Sequence, residues 1–312
     1  MNSSKSDKNF NLARKERILR MRAGLIQAIR DYFISNDFLE VETPLRVPAP
    51  APEEHIEAVP SGNWFLQTSP ELCMKRLLAA GYPRIFQISK CFRAGERGNM
   101  HLTEFTMLEW YEAQSDYMSI MQQCRSMLVC VCREMGFDKV IRWQEKEIAL
   151  CVPWEELTVA QAFDTYAPLS SQEAFIQNRF EEILVDYVEP NLGIRRPTFL
   201  YDYPAGLSAL AKLKDTDKNI AERFELYLGS VELANGFSEL NDAQEQRERF
   251  QAASDAMKQK NWETYPMPEK FLESLDNLPP SAGAALGIDR LVMLLSGTAR
   301  IDDVVTFTPE SL

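Results

Sequence analysis

The chain has 312 residues, 45% of them hydrophobic, with a formal net charge of -12 and an isoelectric point near 4.9. A folded chain of this size buries roughly three quarters of its unfolded surface, enough for one large domain. The acid excess argues against a surface whose affinity comes from neutralising many phosphates, and two histidines with six cysteines in no CxxC spacing argue against a zinc site.

Residues 1–11 are polar and read as a tail without fixed structure, leaving 12–312 as a single domain. The opening MNSSKSDKNF has no hydrophobic signal core. No apolar run approaches the ~18 to 20 residues needed to span a bilayer. Isolated thiols fit a reducing cytoplasm. Ile18, Met21, Leu25, Ile29 and Phe33 are spaced for one apolar stripe and predict a helix over 13–36. Val41, Pro44 and Pro48 then impose an extended chain ending in an irregular loop. A loop rich in proline and acid follows over 49–62, then a short strand over 64–68. SPELCMKRLLAAG predicts a helix with Ser69 as N-cap, Pro70 in the first position and Gly81 as stop. On these local grounds Glu71 reads equally well as an acid in a first turn.

Residues 85–111 read as strand, loop, strand, with two glycines and several charges in the middle that no core could accept unpaired. Period-two alternation puts Phe105, Met107, Glu109 and Tyr111 on one face of the second arm and Thr106, Leu108 and Trp110 on the other. A carboxylate and a phenol beside an aromatic platform suit a small cation next to something flat. A half-exposed strand with a solvated Glu109 is the competing reading. A helix is predicted over 116–136, a hairpin over 141–154, a helix capped by Thr158, a helix over 172–188 and a buried strand over 197–203. In ELYLGSVELANGFSELND the Asn235-Gly236 pair is a strong turn signal. A hairpin there would set Glu232 opposite Glu239, an arrangement that calls for a cation; a looser turn with both glutamates in water is the alternative. Asn241 or Asp242 caps a charged helix to residue 259, and SAGAALGIDRLVMLLS ends in an apolar helix over 289–295.

FRAGER followed by HLTEFTMLEWY resembles motif 2 of the class II aminoacyl-tRNA synthetases, in the lysyl branch. The helix and extended segment before Pro44 are similar to motif 1, the dimer interface of that superfamily, and SAGAALGIDRLVML is similar to motif 3. The resemblance implies an α+β catalytic domain, an antiparallel sheet flanked by helices, that activates an amino acid with ATP and Mg²⁺. It implies that Arg93 holds the α-phosphate and the reacting carboxyl group, while Phe105 and Arg290 sandwich adenine. Glu96 and His101 join the ATP site. Glu225 and Glu232 would hold Mg²⁺. Asn235 would bind the substrate carboxyl group, and Glu109, Tyr111 and Glu239 its side-chain ammonium. Glu71 and Ser69, with Ala285 and Gly287 in the pocket wall, would read the other amino group.

A lysyl-tRNA synthetase carries an anticodon-binding OB-fold ahead of this domain, and only about a dozen residues precede motif 1 here. The chain therefore looks like the truncated lysyl paralogues that ligate (R)-β-lysine to the ε-amino group of one lysine on elongation factor P, without stable tRNA binding. Ala285 stands where lysyl synthetases have glycine, a change that could suit the β-isomer. Departures from the motif 2 pattern are Gly95, Asn99, Leu102 and Thr103. The other readings are a lysyl-tRNA synthetase-like enzyme activating α-lysine and a catalytically silent paralogue.

Overall fold

A computed structural model describes residues 12–312, so the predicted N-terminal tail lies outside the described residues. The strands are β1 (Leu39–Glu40), β2 (Arg46–Val47), β3 (Pro60–Ser61), β4 (Trp64–Leu66), β5 (Arg84–Phe92), β6 (Glu104–Ala113), β7 (Val140–Trp143), β8 (Lys146–Ala149), β9 (Glu155–Thr158), β10 (Thr198–Pro204), β11 (Ile220–Leu228), β12 (Val231–Ser238) and β13 (Ser281–Gly287). The α-helices are α1 (Glu16–Ser35), α2 (Glu71–Ala79), α3 (Tyr117–Glu134), α4 (Val159–Tyr166), α5 (Ser171–Ile176), α6 (Phe180–Ile183), α7 (Ala243–Gln259), α8 (Glu269–Leu275) and α9 (Ile288–Ser296). None of the described helices is long and apolar enough to cross a membrane.

One eight-stranded sheet in the order β1-β5-β6-β13-β12-β11-β10-β9 organises the fold. Its pairings are antiparallel except at the two edges, where β1 and β9 run parallel to their neighbours. The expected α+β architecture is what the chain adopts. One face of the sheet, with Leu108, Trp110, Phe224, Leu226, Ala284 and Leu286, packs on α1, α3 and α9 in a single core. The stripe predicted for α1 supplies Leu25, Ile29 and Phe33 to it, with Ile18 and Met21 at its edge. On the opposite face, α2, α7 and α8 form a smaller apolar cluster around Met74, Leu78, Phe250 and Phe271. The rest of that face is open to a cavity.

Two predicted elements are corrected. The chain does not turn at Asn235-Gly236. The hairpin turns earlier, at Gly229 and Ser230, both with positive φ (63° and 65°), and β12 runs straight through 235–236. Glu225 therefore pairs with Asn235, and Glu232 pairs with Tyr227 rather than facing Glu239. Gly236 serves close packing: a Cβ there would lie 2.6 Å from the Phe224 ring and 2.7 Å from the Gly283 carbonyl oxygen. The helix predicted over 172–188 is also broken. It stops at Ile176, reverses through Asn178 (φ 53°), and restarts as α6, which runs into a π-helical turn over Leu184–Val188. The other boundaries hold within a few residues, with the Thr158 and Asp242 caps in place.

Gly283 is required by the site. In β13 it lies opposite Tyr111, and an added Cβ would meet the Tyr111 ring at 2.2 Å and the Trp110 carbonyl oxygen at 2.8 Å. Gly283→Ala is expected to destabilise the fold by about 1–3 kcal/mol, because the tyrosine and the strand beneath it would both have to move. Urea unfolding measures this, and a variant as stable as its parent would show that the ring relocates without cost.

Candidate active site

The cavity has a volume of about 850 Å³, and its floor is the open face of the sheet. Strand pairing sets one straight row across four strands: Glu109 opposite Ala285, Ala285 opposite Asn235, Asn235 opposite Glu225. Directly opposed residues in antiparallel strands project from the same face, so four of the residues singled out in the sequence stand side by side. The next row is Tyr111, Gly283, Phe237 and Arg223. The parity read from the sequence of β6 is therefore the parity of the fold.

At one end of the row Glu109, only 1% exposed, accepts hydrogen bonds from Ser69 Oγ (2.5 Å) and Tyr111 Oη (2.8 Å). Ser69 Oγ also accepts from the Glu71 amide at 3.0 Å, but the N-cap position of α2 falls on Pro70, one residue after the Ser69 that the sequence predicted. Burial, then the neighbouring Glu71 carboxylate, push the pKa of Glu109 up to about 8. Glu71 and Glu109 both line the cavity. Behind them sits a residue that sequence reading passed over, Lys75, 1% exposed. Its ammonium contacts Glu71 Oε1 at 2.5 Å and Glu239 Oε2, and lies 5.0 Å from the Phe237 ring. Burial disfavours the Lys75 charge, but Glu239 and Glu71 outweigh it and its pKa is raised. Glu239, expected to face a substrate ammonium, is thus fully buried against a lysine of the chain itself. A signal for Lys75 was present. It lies four residues after Glu71, beside Met74 and before Leu78, on the stripe that faces the core.

The middle of the row is lined by Ala285 and by Asn235, whose Oδ1 is buried without a hydrogen-bond partner among the described residues. Farther along, both oxygens of Glu225 are engaged, by Arg223 Nη2 at 2.5 Å and Tyr227 Oη at 2.6 Å. Glu232 Oε2 lies 3.3 Å from Arg290 Nη1. The described residues contain no group of three or more His, Cys, Asp or Glu placed to hold a metal ion. The wall opposite carries cations. Arg93 lies over Phe105, 5.2 Å from the ring centre, and 3.7 Å from Glu96. Its buried Nε has no partner among the described residues. Arg290 donates to the Glu232 carbonyl at 2.7 Å and to His101 Nε2 at 2.7 Å, which fixes that ring nitrogen as the acceptor. Burial and Arg290 lower the pKa of His101, in keeping with a neutral ring.

Arg290 is aimed by its neighbour. Asp289 accepts from Arg22 Nη1 (2.5 Å) and the Thr106 amide (2.7 Å), and Arg22 Nη2 donates to Thr106 Oγ1 (2.7 Å), so α1, β6 and α9 are locked together where Arg290 leaves the helix. Gly287, just before α9, lines the cavity, and a Cβ added there would meet Arg290 only at ordinary contact distance. Glu53 is a further lining residue unseen in the sequence, hidden in the proline-rich loop. Burial raises its pKa to about 7, against the opposing pull of Arg93. In the motif 2 loop, Thr103 and Leu102 have structural roles: the Thr103 carbonyl accepts from the Arg93 amide at 2.9 Å, and Leu102 is buried in the core.

The arrangement can bind a molecule with cationic groups at one end and an anion at the other. The model of the tRNA synthetases class II (D, K and N) matches residues 9–311. The chain is 36% identical to an elongation factor P–(R)-β-lysine ligase from Proteus mirabilis, over 92% of this chain and 93% of that protein. It is 36% identical to a ligase of the same name from Pseudoalteromonas translucida, over 93% and 94% of the two chains. It is also 36% identical to a lysine–tRNA ligase from Nitrosomonas europaea, covering 93% of this chain and 63% of that one.

Proposed function

The chain belongs to the class II tRNA synthetases of the D, K and N type, and on that premise we propose that it activates (R)-β-lysine with ATP and transfers it to a lysine of elongation factor P. The observation that carries the reading is the division of the cavity into a buried carboxylate end, Glu71 and Glu109, and an arginine end, Arg93 and Arg290. A diamino acid fits with its ammonium groups at the first and its carboxylate toward the second. The carboxylate oxygen attacks the α-phosphorus of ATP and pyrophosphate leaves. The acceptor's uncharged ε-amine then attacks the carbonyl carbon of the adenylate, AMP leaves, and one proton is lost from the amine. Arg93 stabilises negative charge developing at phosphorus, and the Asn235 amide orients the substrate carboxyl group. Phe105 and Arg290 hold the adenine, with Glu96 and His101 at its edge.

Mg²⁺ suits the chemistry of the donor set, because two carboxylates without a third protein ligand match a hard cation that takes its remaining oxygens from phosphates and water. Glu225 and Glu232 would hold it, with Arg223 and Arg290 releasing them. Bound there, it would neutralise phosphate charge. The elongation factor P assignment rests on the relatives of that name, which the chain matches over nearly their whole length. A homodimer through the motif 1 region belongs to the same reading, supported by exposed Ile34 and Leu39 beside the β1 edge.

The test mixes enzyme, ATP and either (R)-β-lysine or α-lysine with elongation factor P or with tRNA, and weighs the acceptor. Elongation factor P should gain one β-lysyl group and tRNA none. Aminoacylated tRNA with unmodified elongation factor P would instead establish the lysine–tRNA ligase activity named for the relatives of that type.

A further inference from the structure

The buried ionic cluster has a charge imbalance that the activation chemistry leaves unexplained. Glu71, Glu109 and Glu239 contribute three carboxylates, and Lys75 one ammonium in contact with two of them, a formal charge of -2. The lysine, Glu109 and Glu239 are each at most 3% exposed. Charge of this density cannot persist unpaired out of water; the empty site must take up protons or the occupied site must receive cations. We propose that the pocket recognises its amino acid by exchanging protons for ammonium groups, with Lys75 as the fixed cation that leaves the cluster two positive charges short. That number is the one a diamino carboxylic acid brings. The inference rests on the reading of this pocket as the amino-acid site.

The groups that face the cluster are few. From β6 comes Tyr111 and from β5, on the same face, Cys91, which senses Glu109; from α2 come Glu71 and Lys75; from the end of β12 comes Glu239. Glu109 is held by two neutral donors, Ser69 and Tyr111, with no cation in contact. It is the first seat for a proton in the empty pocket, in keeping with its pKa of about 8. When an ammonium group arrives, the proton leaves to solvent and the carboxylate pairs with the ligand. Since the free site binds more protons than the occupied one, affinity must rise with pH until the free carboxylates are ionised, near pH 8. Lys75 is a positioning residue here: it holds Glu71 and Glu239 and sets the charge count without touching the reacting atoms.

Calorimetric titration of the whole enzyme with (R)-β-lysine and with α-lysine, without ATP, in two buffers of different ionisation enthalpy, counts the protons. At pH 7 about one to two should be released per ligand bound, and affinity should strengthen by up to about tenfold per pH unit for each proton between pH 6 and 8. Glu109→Gln should lower the count by about one. Lys75→Met should move the affinity profile toward higher pH by on the order of one unit, with binding recovered on the alkaline side, while Lys75→Arg keeps the parent profile. A role for Lys75 in packing alone would weaken binding equally at every pH and would overturn its assignment. Binding with no proton release at pH 7 overturns the exchange but leaves the proposed function standing. No binding of either diamino acid overturns both.

Discussion

An analogue of the amino acid with a methyl group in place of its side-chain ammonium is activated with a kcat/KM lower by roughly 10⁴-fold, the range found where buried polar groups lose their partner. Glu109 is the reason. It is 1% exposed, fixed by Ser69 and Tyr111, and pushed toward neutrality by burial, so a methyl group in front of it leaves either a bare carboxylate or a retained proton facing hydrocarbon. Size contributes little, since a methyl and an ammonium group are close in volume. Pyrophosphate exchange with the two compounds measures the ratio, and a difference below tenfold would remove Glu109 from substrate recognition.

Arg93→Ala should reduce the rate of adenylate formation by about a hundredfold or more, comparable to the loss of one preorganised donor at a developing anion. Its guanidinium is held over Phe105 and near Glu96, with Nε unused inside the protein. The fold should survive, because the backbone of Arg93 and not its side chain makes the 2.9 Å bond that closes the motif 2 loop. Exchange at near the parent rate would mean that charge at phosphorus is stabilised elsewhere. Arg223, whose Nε is likewise unpartnered among the described residues and which lines the cavity, is the next cation to test.

Much of this site was legible in the sequence because β6 obeys strict period two and a single strand fixes Phe105, Glu109 and Tyr111 at once. What strand parity cannot supply is the neighbour. Asn235-Gly236 has the best local turn signal in its segment, yet pairing with β13 on one side and β11 on the other holds it extended, and Gly236 is glycine because Phe224 leaves it no room. The turn falls instead at Gly229-Ser230, which the sequence analysis did not single out. Lys75 escaped notice for a similar reason: a lysine in a helix reads as solvated until Glu239, distant in the chain, is seen buried against it beside Glu71. The break at Asn178 is a left-handed residue inside a run of helix formers, which propensity summed over a window smooths away.

The position of β13 in the sheet fixes when the protein comes to exist. The last of the described strands in chain order, it is the strand that joins β5-β6 to β12-β11 and sets Ala285 between Glu109 and Asn235. Until it emerges, the nascent chain holds two half-sheets with exposed, unpaired edges at β6 and β12, each carrying part of a binding site and neither able to bind. Emergence of β13 is therefore a condition for substrate recognition, and the interval before it is when a chaperone that covers strand edges has the most to protect.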